Sequence, residues 1–128
     1  MRNIFIILLV IAISIGSAYV GYSFVQRKEA IYAYTPGGQF ITNIKDNTCL
    51  IKTDLVIEVT DRAKYKKLND STYKVRDLII NVLRSKTYDE MMNPSIQETL
   101  KTQIIGRINE EFNLNAADNI YFNEFVLQ

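Results

Sequence analysis

The spacing of hydrophobic positions divides the chain into an apolar N-terminal run and a mixed remainder. The run Ile4–Val25 contains no charged residue, and Arg2 and Arg27-Lys28 flank it. Roughly 22 residues rising about 1.5 Å each would form a helix about 33 Å long, enough to cross the hydrocarbon core of a bilayer. The pattern therefore predicts that residues 1–26 consist of a short cytoplasmic tail followed by one transmembrane anchor.

A cleaved signal peptide is the alternative interpretation of this run. Gly16-Ser17-Ala18 places small residues where a signal peptidase would cut. The apolar run continues past this point, which a signal would not require, so we favour the anchor. The flanking positive charges nearly balance and encode orientation only weakly. We expect the commoner arrangement, with the short tail inside and the domain outside.

A stripe of small side chains follows helical spacing within the predicted anchor. Its members, at i, i+3, i+4 and i+7, are Ser14, Ser17, Ala18 and Gly21. Small residues let helices approach closely in lipid, so this face is a candidate packing surface. Small residues are also common in such helices, and chance accounts for the stripe equally well.

Alternating apolar positions after the anchor predict strands. Residues 27–35 form a connector, and Pro36-Gly37-Gly38 ends it with a turn. Gln39–Ile44 and Thr48–Thr60 predict two strands of a hairpin. Ile120–Leu127 predicts a final strand with apolar residues on both faces, which is typical of the centre of a sheet.

The segment between the predicted hairpin and the final strand shows helical periodicity. Asp61–Leu68 is polar and predicts a short helix, and a buried stripe from Val75 to Leu83 predicts a second one. Thr87 and Ser95 each stand three residues before a Glu, the spacing of a capping box. The helix that follows Ser95 is expected to run to Phe112. The predicted fold class is α+β, a small antiparallel sheet covered by helices, in a domain of residues 36–128.

Charge and residue types narrow the functions available to this domain. The chain has 15 Lys+Arg and 14 Asp+Glu, and apart from Arg2 the two signs balance. Nucleic acid is therefore an unexpected partner, since a duplex-binding module needs a basic excess. No His and only one Cys, Cys49, argue against a zinc site and a catalytic triad. We expect no enzymatic activity, no metal and no cofactor.

One short motif could suggest acyl-transfer chemistry. Ser71-Thr72-Tyr73-Lys74 fits S-x-x-K, which pairs a Ser nucleophile with a Lys base in some enzymes. The companion motifs are missing, so helix capping by Ser71 or Thr72 is the better interpretation.

Several segments resemble the FliL family of flagellar basal body-associated proteins. Ile120–Gln128, I-Y-F-N-E-F-V-L-Q, resembles the family's terminal strand, and Val82–Met91 resembles its L-L-S-S-K-T-x-E-E-L helix junction. Phe40–Ile44 is similar to its first strand, Val75–Ile79 to the start of its main helix and Leu100–Asn109 to its later helix. The family-motif residues, taken as structural, are Asn43, Ser85, Lys86, Thr87, Asn109, Tyr121, Phe122, Phe125 and Gln128. The connector is short compared with many members.

The resemblance implies a fold and a role that composition alone does not show. The domain would be periplasmic and similar to stomatin/prohibitin (SPFH) domains, with a single-pass anchor in the bacterial inner membrane. The protein would form a homo-oligomeric ring around MotA/MotB stator units at the basal body, stabilise their active state and support motility and swarming. The alternative is a general SPFH-like membrane scaffold, or a paralogue of the family that is not tied to the motor.

Overall fold

The computed structural model describes residues 4, 6–7, 9, 11–17, 30–45, 48–113 and 115–128. In the described part of the chain, four antiparallel strands form one sheet: β1 (Tyr32–Tyr34), β2 (Phe40–Asn43), β3 (Leu50–Val59) and β4 (Asn119–Leu127). The four helices of the domain are α1 (Arg62–Asp70), α2 (Thr72–Arg84), α3 (Tyr88–Met91) and α4 (Ile96–Phe112). The predicted α+β class is therefore confirmed.

Strand β3 forms the centre of the sheet. Strands β1 and β2 follow one another along one edge of β3, pairing with its end at Ile57–Val59 and its start at Leu50–Thr53. Strand β4 pairs along the other edge. The predicted β2–β3 hairpin is confirmed. Tyr32–Tyr34, at the end of the predicted connector 27–35, is instead a strand of the sheet, and the ring of Tyr34 is buried in the core.

The prediction that β4 lies in the centre of the sheet is wrong. Among the described strands it pairs with β3 alone, so it is an edge strand. A bulge causes the misassignment: Asp54 pairs with Glu124 but Leu55 pairs with Phe122, which leaves Asn123 as the extra residue. Strict alternation would place some apolar residues before and after Asn123 on opposite faces of the strand. Because of the bulge, they lie on the same face.

The core lies between one face of the sheet and the helices. Burial alternates along β3, with Ile51, Leu55 and Ile57 fully buried. Helices α2 and α4 meet this face with aliphatic side chains spaced three or four residues apart. Their buried members are Val75, Ile79, Val82, Leu83, Ile96, Leu100, Ile104, Ile108 and Phe112. Leu78 and Ile105, predicted to belong to the same stripes, are half-buried.

Caps define the ends of the helices. Asp61 starts α1 by accepting hydrogen bonds from the amides of Ala63 and Lys64 at 2.8 and 2.9 Å. The capping box predicted at Thr87 is present at the start of α3. The one predicted at Ser95 is absent: the side chain makes no cap hydrogen bond, and its hydroxyl donates to Asn93 Oδ1 at 2.8 Å.

The predicted anchor Ile4–Val25 lies partly outside the described residues. Its described members, 4, 6–7, 9 and 11–17, are helical and exposed. A helix both long and apolar enough to span a bilayer is not found among the described residues.

Candidate interaction surfaces

The junction between α2 and α3 is built from three family-motif residues. Ser85 closes α2 by donating from Oγ to the carbonyl of Val82 at 2.7 Å. Thr87 starts α3, where its Oγ1 accepts from the Glu90 amide and the Glu90 carboxylate accepts from the Thr87 amide at 2.8 Å. These hydrogen bonds from Thr87 lower the pKa of Glu90. The S-K-T triplet therefore fixes the angle between two helices.

Lys86, the middle residue of that triplet, is buried although it is charged. Its side chain is 8% exposed and Nζ lies 3.8 Å from Glu90 Oε1. Its carbonyl accepts a hydrogen bond from the amide of Lys45 at 2.8 Å, which ties the junction to the end of β2. Burial of an ammonium is costly unless a partner compensates it, and here the partner is the Glu90 carboxylate.

Asn109 joins α4 to the segment that leads into β4. Its Oδ1 accepts hydrogen bonds from the amides of Ala116 and Ala117 at 2.8 and 3.1 Å. Both alanines are buried, so their amides have little access to water. The asparagine therefore satisfies two backbone donors and sets where β4 begins.

A clamp that the sequence did not predict is centred on Arg76. Its guanidinium donates to the carbonyls of Pro36, Gly37, Gly38 and Gln39 over 2.8–3.4 Å. Its Cζ also lies 4.3 Å from the ring centroid of Phe40. The turn and Arg76 were each visible in the sequence, but no local pattern links residues about forty positions apart.

Residues of the terminal motif divide between the two faces of β4. Phe122 and Phe125 pack edge to face on the core side, with centroids 5.4 Å apart. Tyr121 lies on the opposite face and is 48% exposed. Gln128 continues the ladder through backbone hydrogen bonds with Leu50 of 2.7 and 2.8 Å. Asn43 ends β2 opposite Leu50.

The sheet face opposite the helices is polar in the middle and apolar at its margins. Glu124 accepts from Lys52 Nζ at 2.7 Å and from Gln39 Nε2 at 2.6 Å, and the Lys52 hydrogen bond is the main reason that its pKa is lowered. Ile41, Leu50 and Val126 are exposed on this face. A surface with a central ion pair and flanking apolar groups is suited to binding another protein.

The S-x-x-K residues are engaged in structural contacts. The carbonyl of Ser71 accepts from the amide of Lys74 at 2.9 Å as α2 begins, and Lys74 Nζ pairs with Glu111 at 3.4 Å. The predicted capping of α2 by the Ser71 side chain is absent; the Thr72 hydroxyl instead donates to the carbonyl of Asn69. Cys49 is half-buried against the core.

The predicted packing face of the anchor is described in part. Ser14 and Ser17 are helical and exposed, and the Ser17 hydroxyl donates to the Ser14 carbonyl at 3.0 Å. Ala18 and Gly21 lie outside the described residues. The stripe of small residues therefore stays a prediction.

These features define a class of protein. A small α+β domain has exposed binding surfaces, and apolar helical residues precede it. No cluster of three or more His, Cys, Asp and Glu side chains suited to a metal occurs where the chain is described. The class is that of a small α+β domain built on a four-stranded antiparallel sheet.

Comparison with known proteins identifies the family. Residues 34–128 match the family described as flagellar basal body-associated protein FliL. The flagellar protein FliL of Aquifex aeolicus (strain VF5) is 32% identical over 91 residues, which cover 70% of this chain and 56% of that relative. The chain thus spans little more than half the length of that relative. The chain belongs to the FliL family, as the motifs had indicated.

Proposed function

We propose that this protein is an accessory of the bacterial flagellar motor, anchored in the inner membrane with its α+β domain in the periplasm. It oligomerises around MotA/MotB stator units and stabilises their active state, which supports motility and swarming. Membership in a family of basal body-associated proteins is the observation that carries this proposal. The domain acts by binding and not by covalent chemistry.

The exposed apolar side chains of the N-terminal helical residues support the membrane anchor. Seven of them are between 49% and 65% exposed, and they are Ile4, Ile6, Ile7, Leu9, Ile11, Ile13 and Ile15. Such a surface is costly in water and favourable in lipid. In this proposal residues 1–26 form the anchor and tail.

Self-assembly is supported by the free edge of β4. An edge strand offers unpaired backbone amides and carbonyls to another chain. The exposed Tyr121 and Val126 next to that edge add apolar area to such a contact. A stator-bound oligomer would act by population shift, binding the active stator state more tightly than the inactive one.

A fluorescent fusion to the full chain tests the motor role. We expect polar or motor-associated foci that disappear when the stator genes are deleted, together with reduced swarming when this gene is deleted. Foci that persist without the stator would favour the alternative, a membrane scaffold or paralogue independent of the motor. Sedimentation of the detergent-extracted protein tests assembly, and a monomer at all concentrations would contradict the oligomer.

Carbonate extraction of membranes tests the anchor. The wild-type chain should stay in the membrane pellet, and Ile11→Arg should shift it towards the soluble fraction because a charge inside a membrane helix is unfavourable, by up to about 2.5–3.5 kcal/mol at the centre. Ile11→Leu is the matched control and should behave as wild type. Complete release of the wild-type chain would refute the anchor.

A further inference from the structure

The outer face of the sheet, opposite the helices, carries more negative than positive charge. Along the described strands, three carboxylates lie on this face and one ammonium accompanies them. The carboxylates belong to Asp54, Glu58 and Glu124, and the ammonium belongs to Lys52. Asp54 and Glu124 are paired in direct cross-strand register, an arrangement that is destabilising for like charges. A second cation would therefore stabilise this face.

Asp54 is the residue that lacks a cationic partner. Lys52 Nζ pairs with Glu124 at 2.7 Å, whereas Asp54 Oδ2 accepts only from the side-chain amide of Asn123, at 3.1 Å. Asp54 Oδ1 is buried and accepts no hydrogen bond from any described residue, and leaving a buried acceptor unpaired is costly. The residue as a whole is only partly buried, so rotation of the carboxylate about its last side-chain bond can turn this oxygen towards an incoming donor.

Helix α1 carries cations that the domain itself does not use. Four of its nine residues are Lys or Arg. Arg62 is exposed and has no ion pair or side-chain hydrogen bond within the described part of the chain. Lys66 has only a 3.8 Å contact with Asp70, with both side chains exposed, and such a pair is worth little.

The spacing of these two cations matches that of the carboxylates on the sheet. Arg62 and Lys66 are four residues apart on one face of α1, which places their Cβ atoms about 5–6 Å from each other. Cross-strand neighbours such as Asp54 and Glu124 have Cβ atoms about 4.5–5.5 Å apart. One turn of α1 can therefore present a cation to each of the two carboxylates.

Helix α1 and the acidic face lie on opposite sides of the sheet, so one copy of the domain cannot bring them together. Tyr65 of α1 packs against Tyr32 and Tyr34 with ring centroids 5.5 and 6.1 Å apart, and Tyr34 is buried on the core side. Contact between the two surfaces requires two copies arranged head to tail. Each copy then offers α1 to one neighbour and its sheet to another, which closes into a ring where the rotation between copies permits.

We propose that α1 of one copy docks on the outer sheet face of the next copy. Arg62 hydrogen-bonds to the Asp54 carboxylate, Lys66 lies beside Glu124, and the aliphatic parts of both cationic side chains cover Ile41, which is 63% exposed. This inference rests on the self-assembly proposed above and names its contact. The contact depends on charge at the sheet face, whereas pairing at the edge of β4 depends on backbone hydrogen bonds.

Charge reversal tests this contact in the full chain extracted in detergent, with self-association measured by sedimentation equilibrium. Arg62→Glu and Asp54→Lys should each weaken association about tenfold or more, because like charges then face each other. The double variant Arg62→Glu/Asp54→Lys should recover most of the association, since the two signs are exchanged. Raising the salt concentration should weaken association of the wild-type chain.

Two further variants serve as controls. Arg84→Glu reverses an exposed arginine on α2 and should associate as the wild type does. Asp54→Asn removes the charge at nearly constant size, so it should weaken association while the midpoint of thermal unfolding stays close to that of the wild type. If Asp54→Lys fails to fold, Asp54→Asn and Arg62→Glu still decide.

The possible failures are distinguishable. Association that neither Arg62→Glu nor Asp54→Lys changes would refute this contact and leave self-assembly through another surface, such as the edge of β4. Loss of association in both single variants without recovery in the double variant would also refute it. A wild-type chain that is monomeric at all concentrations would refute the proposed self-assembly itself, and this contact with it.

Discussion

The clamp formed by Arg76 makes the sharpest prediction about stability. Replacing Arg76 with alanine removes donors to four backbone carbonyls and the contact with the ring of Phe40. The turn that it holds joins β1 to β2 and lies directly after the predicted connector. We expect the substitution to loosen the side of the sheet on which β1 and β2 pair with β3.

The magnitude follows from the geometry. The two shortest hydrogen bonds, 2.8 Å to Gln39 and 3.0 Å to Gly37, are charge-assisted, and such bonds contribute about 1.5–3 kcal/mol each. The hydrogen bond to Gly38 is long, at 3.4 Å, and contributes little. Water can hydrate the freed carbonyls after the mutation, which reduces the net loss of stability. Allowing for that rehydration, Arg76→Ala should cost about 2–3 kcal/mol and lower Tm by roughly 8–24 °C for a domain of this size.

Two further variants separate the geometry of the guanidinium from its charge. Arg76→Lys keeps the charge but replaces a planar fork with a point donor, which cannot serve carbonyls on both sides and stack on a ring. It should recover less than half of the loss. Arg84→Ala changes an exposed arginine of the same helix and should stay within about 0.5 kcal/mol of wild type.

Thermal and urea unfolding, followed by circular dichroism, measure these differences. Limited proteolysis should also show faster cleavage near residues 36–39 in Arg76→Ala. The reasoning fails if Arg76→Ala unfolds at the same temperature as Arg84→Ala, or if Arg76→Lys matches wild type. The first result would mean that water replaces the hydrogen bonds of Arg76 without loss of stability. The second would mean that a positive charge alone is enough to hold the turn.

Substitutions at four further residues test other parts of the structure. Asn109→Ala should cost about 2–4 kcal/mol in urea unfolding because two buried amides lose their acceptor, and Asn109→Asp, which keeps the oxygen, should cost less. The folded pKa of Glu124 is lowered, so its stabilisation is present above the unfolded value of about 4.3 and is lost as pH falls through the folded one. Glu124→Gln should therefore flatten the fall in Tm between about pH 5 and 3. Phe125→Ala should cost about 1.5–3 kcal/mol, less than a fully buried Phe, and lower abundance and motility together on immunoblots and swarm plates. Ser71→Ala should keep wild-type motility, and an abundant but inactive Ser71→Ala protein would contradict the binding role.

Local periodicity was enough to predict the elements whose signals lie within a few residues. The alternation in β3, the aliphatic stripe of α2 and the Thr87 capping box all arise from neighbouring positions, and each is present as expected. The capping box expected at Ser95 shows the limit of the same approach. The spacing to Glu98 is right, but the Ser95 side chain makes no cap hydrogen bond and its hydroxyl donates to Asn93 instead.

Features that depend on long-range pairing could not be predicted. Strand β1 is three residues long, too short for alternation to mark, and is stabilised by pairing with the far end of β3. The clamp of Arg76 and the contact of Asn109 with the loop before β4 depend on tertiary geometry for the same reason. Lys86 was identified through its place in a family motif, and its burial beside Glu90 is evident only in the folded domain.

The bulge at Asn123 has the widest consequences for both fold and function. Strict alternation would place Phe122 and Phe125 on opposite faces, which suggested a strand buried on both sides. One extra residue returns both rings to the core face and leaves Tyr121 and Val126 on the other. With both phenylalanine rings on the core side, the strand does not need a second layer on its other face, in keeping with its place at the edge of the described sheet. The bulge that breaks the alternating pattern therefore leaves both the edge of β4 and the outer face of the sheet available for the proposed assembly.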